Sequence, residues 1–149
     1  MINILKKIII YNYIYNNINY FNKQFIKNTI ISITTITRQS PLFLFNKNLE
    51  IIALKTTLRN KNLNNFLYKL KKFTLSNSTN TSLFRSKIYN LDSNYNLYIY
   101  IKNQKYFFEH FKSNILTFLY NFNIQLIFNK NTKNKNKIKY ILNTLNIKL

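Results

Sequence analysis

The chain has no glycine, cysteine or tryptophan, a single proline, and only three acidic side chains, Glu50, Asp92 and Glu109. Each absence excludes something. Without cysteine, disulfides and thiolate metal sites are ruled out. Without glycine there is no phosphate-cradling loop of the P-loop or dinucleotide type, and any turn that needs a positive φ is expected to draw on Asn or Ser, with Asn the better tolerated. The acids are too scattered for a paired-carboxylate site to be read from spacing. His110 is the only imidazole, and beside Glu109 in an aromatic stretch it reads as structural or solvated rather than as a general base. An enzyme is not expected, and neither a cofactor nor a metal is called for. Long apolar runs are missing too: residues 8–15 are interrupted by Asn12 and fall short of the roughly 20 residues that span a bilayer.

What the chain does have is cationic charge. Its 149 residues carry 23 Lys and Arg against the three acids, a formal net charge of +20. Such a domain repels itself, and a neutralising ligand that binds the folded form alone stabilises it. The expected partner is a polyanion, nucleic acid above all, because each phosphate met by Lys or Arg releases a condensed counterion. Codon bias accounts for part of the composition: Lys, Asn, Ile, Tyr and Phe have A/T-rich codons, whereas glycine needs two G bases. It does not account for the scarcity of acids, which GAA and GAT supply. The length fits one domain over residues 1–149 with a core that needs no staples.

Periodicity outlines the elements. Ile8, Ile9, Ile10, Tyr11, Tyr13, Ile14 and Tyr15 give residues 6–16 strand character. Over residues 20–37, Phe21, Phe25, Ile26, Ile30, Ile33 and Ile36 fall at helical spacings, although the β-branched content of 29–37 by itself favours a strand. Beyond Pro41, residues 42–45 and 49–58 read as strands joined through Asn46, Lys47 and Asn48. Leu63, Phe66, Leu67, Leu70 and Phe73 then define an amphipathic helix with Asn60 as its expected N-cap and Lys61, Lys69, Lys71 and Lys72 on its other faces. Residues 76–82 form a polar loop, 95–101 and 124–128 read as strands, and 106–120 is aromatic-rich and of undecided type. A Lys and Asn tract, 129–137, leads into Ile138, Ile141, Leu142 and Leu145 at helical spacing. Strands interspersed with helices in this order predict an α+β fold, an antiparallel sheet packed on helices.

Two short stretches carry a family resemblance: Thr37-Arg38-Gln39-Ser40-Pro41, and Leu54-Lys55-Thr56-Thr57-Leu58-Arg59. They resemble the Gly-Gln-Lys-Pro turn and the Lys-Val-Thr-Leu-Arg-Gly strand end of the large-subunit ribosomal protein five family, which binds 5S ribosomal RNA. The order continues with Phe84-Arg85 at the family's Phe-Arg-Gly, Asn94-Tyr95 at its Asn-Tyr-Ser, and Gln104, Phe107 and Glu109 at its Gln-Ile-Ile-Phe-Pro-Glu; Asn12 falls where the family has Ile-Thr-Leu-Asn. Taken together, these matches imply a structural protein of the large ribosomal subunit, with a sheet face docked on 5S-type rRNA, or its equivalent, in the central protuberance near the subunit interface. Other large-subunit rRNA, neighbouring ribosomal proteins and a small-subunit head protein across an intersubunit bridge are the further partners implied. Carried over by position, Asn12, Gln39 and Thr57 supply polar contacts to RNA. Arg38, Lys55, Arg59 and Arg85 would neutralise phosphates, Arg59 with a planar fork suited to bidentate grip.

The departures shape the expectation as much as the matches. The family's long hairpin tip, associated with transfer RNA, shrinks here to Asn46, Lys47 and Asn48, which puts that contact in doubt. The family's leading helix has no counterpart, and its acidic start to the last helix is replaced by Lys130, Lys133, Lys135 and Lys137. Cations at a helix start are disfavoured by roughly 0.3–1 kcal/mol each, so an anion is expected beside them; the bland reading is a solvated loop. The codon bias, with no transit-peptide pattern in residues 1–15, points to an organelle-encoded protein of a mitochondrial ribosome, a plastid-type organelle being the alternative. A competing function is a peripheral membrane or assembly protein that lays Phe107, Phe111, Ile115, Phe118 and Leu119 on anionic lipid.

Overall fold

The computed structural model describes residues 5–13, 23–75, 89–91, 96–101, 107, 109, 122–129, 136, 139 and 143. Strand β1 (Leu5–Tyr13) is followed by helix α1 (Lys23–Thr37), strands β2 (Leu42–Phe45) and β3 (Ile51–Leu58), and helix α2 (Asn60–Lys69), which continues as a π-helical turn over Leu70–Leu75. Strands β4 (Tyr89–Leu91), β5 (Leu97–Ile101) and β6 (Phe122–Phe128) complete one six-stranded sheet of order β2-β3-β1-β6-β5-β4. Every neighbouring pair is antiparallel. The fold is α+β, with a sheet packed on helices, as the element order predicts.

Alternation along each strand decides which residues meet the helices. Ile8 and Ile10 of β1 stand level with Leu58 and Thr56 of β3 and with Leu126 and Ile124 of β6. These positions, with Leu97, Ile99 and Ile101 of β5, join Ile33 and Ile36 of α1 and Leu63, Phe66, Leu67 and Leu70 of α2 in one core; Thr56 is buried beside them. Phe107 is wedged between Phe66 and Phe122, with ring centroids 6.1 and 5.2 Å away. Each aliphatic or phenylalanine side chain so enclosed contributes about 1.5–3 kcal/mol. Both helices therefore cover the same side of the sheet.

In α1 the threonines are accommodated by bonding back along the helix. The hydroxyls of Thr34, Thr35 and Thr37 donate to the carbonyls of Ile30, Ile31 and Ile33 at 2.7–2.8 Å, so their polar groups are satisfied locally. Burial of Ile33 and Ile36 then outweighs the strand propensity of the segment. At the far end of α1, Lys69 of α2 donates to the Ile36 carbonyl at 3.1 Å and pairs with Glu109. A cation there complements the negative end of the α1 dipole.

The lack of glycine is met differently from the expectation that Asn or Ser would take every positive φ. Arg38 (φ 57°) and Leu49 (φ 62°) adopt it, as does Asn60 (φ 49°). Arg38 occupies the left-handed position that ends α1, its N–H donating to the Thr34 carbonyl at 2.7 Å, a place where glycine is usual. Leu49 lies in the β2–β3 turn, where Asn46 acts as the scaffold. The Asn46 Oδ1 accepts from the N–H groups of Asn48 and Glu50 at 2.8 and 2.9 Å, and its Nδ2 donates to the Glu50 carboxylate at 2.8 Å. Side-chain mimicry of a backbone turn supplies what the missing glycine would have provided. Another expectation needs correction: Arg59, not Asn60, is the N-cap of α2, and no side chain caps that end.

Strand β2 is an edge of the sheet, and its Leu42, Phe43 and Phe45 are exposed, Leu42 by 70%. The expected loop at 76–82 and most of the aromatic stretch 106–120 lie outside the described residues. So do the apolar positions of the last helix, although Asn136, Lys139 and Asn143 are helical and exposed.

Candidate nucleic-acid interface

The second side of the sheet has a different chemistry. Lys7, Ile9, Tyr11 and Tyr13 of β1 alternate with the core positions, and the register carries this face across to Ala53, Lys55 and Thr57 of β3. In the other direction it runs through Asn123, Gln125 and Ile127 of β6 to Tyr98 and Tyr100 of β5. Tyr13, Tyr98 and Tyr100 are 44, 37 and 37% exposed. No described helix packs on this face, on which Ile9 and Ala53 are nevertheless buried.

Its side chains are arranged in local contacts. Tyr11 and Tyr13 stack with ring centroids 5.8 Å apart and planes 15° from parallel, and the Lys55 ammonium lies 5.7 Å from the Tyr11 centroid. Such a cation–π contact is worth about 0.5–1 kcal/mol at an exposed site. Gln125 donates from Nε2 to the Tyr98 hydroxyl at 2.6 Å. Carboxylates are absent here among the described residues: Glu50 is bound into the hairpin turn and Glu109 is paired with Lys69 on the helix side. The face thus combines cations, aromatic rings and amides with no opposing charge, which suits an anionic, base-bearing polymer.

The structure divides the sequence-predicted contact residues into three groups. Lys55 and Thr57 belong to the open face, both half-buried. Arg38 and Arg59 are exposed at its corner, where α1 ends and β3 turns into α2. Arg59 keeps an extended backbone (φ −138°, ψ 162°), so the strand's alternation sends it to the same side as Thr57. Gln39 is at this corner as well, but its Nε2 donates to the Thr57 carbonyl at 3.0 Å. That bond fixes the α1–β2 turn against the end of β3, a structural duty that positions Arg38.

Asn12 is the correction. It stands level with Leu54 and on the same side of β1 as Ile8 and Ile10, 3% exposed, so it faces the helices and is out of reach of any ligand on the open face. Its Oδ1 has no hydrogen-bond partner, and neither has the Oγ1 of the nearby Thr56. Arg85, Lys130, Lys133, Lys135 and Lys137 lie outside the described residues. The residues that sequence reasoning overlooks are Lys7, Tyr11, Tyr13, Tyr98, Tyr100, Asn123 and Gln125. A signal for some of them exists: Leu97-Tyr98-Ile99-Tyr100-Ile101 and Phe122-Asn123-Ile124-Gln125-Leu126 alternate in steps of two.

No protein-family model matches the chain, and no curated protein matches it either.

Proposed function

We propose that the chain is a non-catalytic, structural protein of a large ribosomal subunit that lays the open face of its sheet on folded rRNA. The observation that carries this reading is the face itself, which bears Lys7, Lys55, Tyr11, Tyr98, Tyr100, Asn123 and Gln125 with no described carboxylate, on a chain of net charge +20. Lys55, Arg59 and Arg38 would neutralise phosphates and release their counterions. Amide and hydroxyl groups of Asn123, Gln125 and Thr57 would meet ribose 2′-OH groups and base edges.

The resemblance to the ribosomal protein five family narrows the proposal to 5S-type rRNA, or its equivalent, in the central protuberance of a mitochondrial subunit, with a plastid-type organelle as the alternative. Arg85, by the resemblance, and the lysines at 130, 133, 135 and 137, by their charge, enter as further phosphate contacts. Direct contact with transfer RNA is left out of the proposal, because the β2–β3 turn is short. The lipid reading has less support, because Phe107, one of its anchors, is 1% exposed in the core.

Two measurements test the proposal. The protein should co-sediment with large ribosomal subunits, and its binding to a 5S-type rRNA should weaken steeply as salt rises, by roughly 0.7–0.9 log units per tenfold salt for each phosphate neutralised. Binding that ignores salt, or co-flotation with anionic vesicles in place of subunits, would overturn it.

A further inference from the structure

Across the centre of the open face, Tyr11 of β1, Asn123 of β6 and Tyr100 of β5 stand in one register row, with Lys55 of β3 level with Tyr11 on the outer side. Strands lie about 4.8 Å apart, so Tyr11 and Tyr100 rise from the sheet about 10 Å from each other with Asn123 between them. In the next row Gln125 is tethered to Tyr98 at 2.6 Å, which orients its carboxamide beside a second exposed ring.

We propose that this face is a stacking platform for unpaired RNA bases: Tyr11, Tyr13, Tyr98 and Tyr100 take base faces, Asn123 and Gln125 read their edges, and Lys55 receives the adjoining phosphate. The inference rests on the RNA-binding reading above and specifies its ligand as single-stranded segments, loops or bulges rather than duplex. In an RNA helix the bases are already stacked on each other, and protein contacts go to phosphates and 2′-OH groups. Lysines alone would serve such a surface. The rings of Tyr13, Tyr98 and Tyr100, more than a third exposed, are a poor match for a duplex backbone and a good one for splayed bases, every one of which has a π-face, and the half-buried Tyr11 stacks beside Tyr13. Lys55 over Tyr11 adds a cation beside the ring, where the backbone of a stacked nucleotide passes.

The test uses the full chain and a single-stranded RNA of about 12 nucleotides carrying 2-aminopurine, free or annealed to its complement, at physiological salt. The single strand should bind at least about fivefold more tightly than the duplex, with its 2-aminopurine fluorescence changed on binding. Tyr100→Ala should weaken single-strand binding by roughly five- to 150-fold, the range for one stacked base. Tyr100→Phe keeps the π-face and should bind like the parent, whereas Tyr100→Leu keeps an apolar strand residue without a ring and should behave like the alanine variant. Equal or tighter duplex binding, or a Leu variant indistinguishable from the parent, would overturn the platform while leaving RNA binding intact. If neither RNA form binds, and a 5S-type rRNA does not bind either, both readings fall together.

Discussion

The two faces of this sheet are built by the same strands and behave as different materials. On the helix side, Ile8, Ile10, Leu54, Leu58, Ile124 and Leu126 close against α1 and α2; the open side carries Lys7, Tyr11, Lys55, Thr57, Asn123 and Gln125 together with the apolar Ile9, Ala53 and Ile127. Nearly all of these residue types come from A/T-rich codons, so nucleotide bias does not sort them. Strand parity concentrates Lys7, Lys55, Asn123 and Gln125 on one side and most of the apolar core on the other. Stability should reside in one face and ligand affinity in the other.

The strongest challenge to that division is Phe66→Ala, which removes a buried ring packed on Phe107 in the core. It should cost about 3–5 kcal/mol in thermal or denaturant unfolding, and a drop smaller than about 1 kcal/mol would mean that the helices do not seal the sheet. Next in size, Lys69→Ala strands the mostly buried Glu109 carboxylate and frees the Ile36 carbonyl. The same measurement should show a decrease of about 1–3 kcal/mol.

Asn12→Val probes the polar intruder on the wrong face. Because the Asn12 Oδ1 is buried without a partner, removing it should raise stability by about 1 kcal/mol and leave RNA affinity where it was. A fall in affinity would return Asn12 to the binding surface. Smallest in stability is Lys55→Gln on the open face, expected within about 0.5 kcal/mol of the parent in unfolding. In a salt titration of RNA binding, however, the slope should become shallower by about 0.7–0.9 for each phosphate that Lys55 neutralises. Unchanged slope with lowered stability would reverse the roles assigned to the two faces.

Much of the fold is legible in the sequence because core residues announce themselves by period. The β2 boundaries follow from Pro41 and the Leu-Phe-Leu-Phe run, and α2 from the spacing of Leu63, Phe66, Leu67 and Leu70. Strand β3 begins at Ile51 rather than 49 because Leu49 and Glu50 are taken up by the turn built on Asn46. The three residues of β4 carry no pattern of their own, and only pairing with β5 defines them as a strand. The interface is harder to read. In β1 the run Ile8-Ile9-Ile10 conceals parity, since both faces of a central strand begin apolar, and a resemblance can nominate Asn12 without saying which way it points. Side-chain direction there is fixed only by the pairing of Asn12 with Leu54 and of Tyr11 with Lys55. The amide of Gln39 is generic enough to suit RNA, whereas its bond to Thr57 is visible only in three dimensions.

The free edge at β2 has a practical corollary. Leu42, Phe43 and Phe45 are bare at the rim of the sheet, and a rim of that kind invites another strand to zip onto it. Mutual repulsion between copies at +20 holds them apart, a force that shrinks as added ions shorten its reach to about 8 Å at physiological strength and about 3 Å in molar salt. Concentrated salt therefore weakens that restraint, and turbidity in such buffers would report these rims meeting.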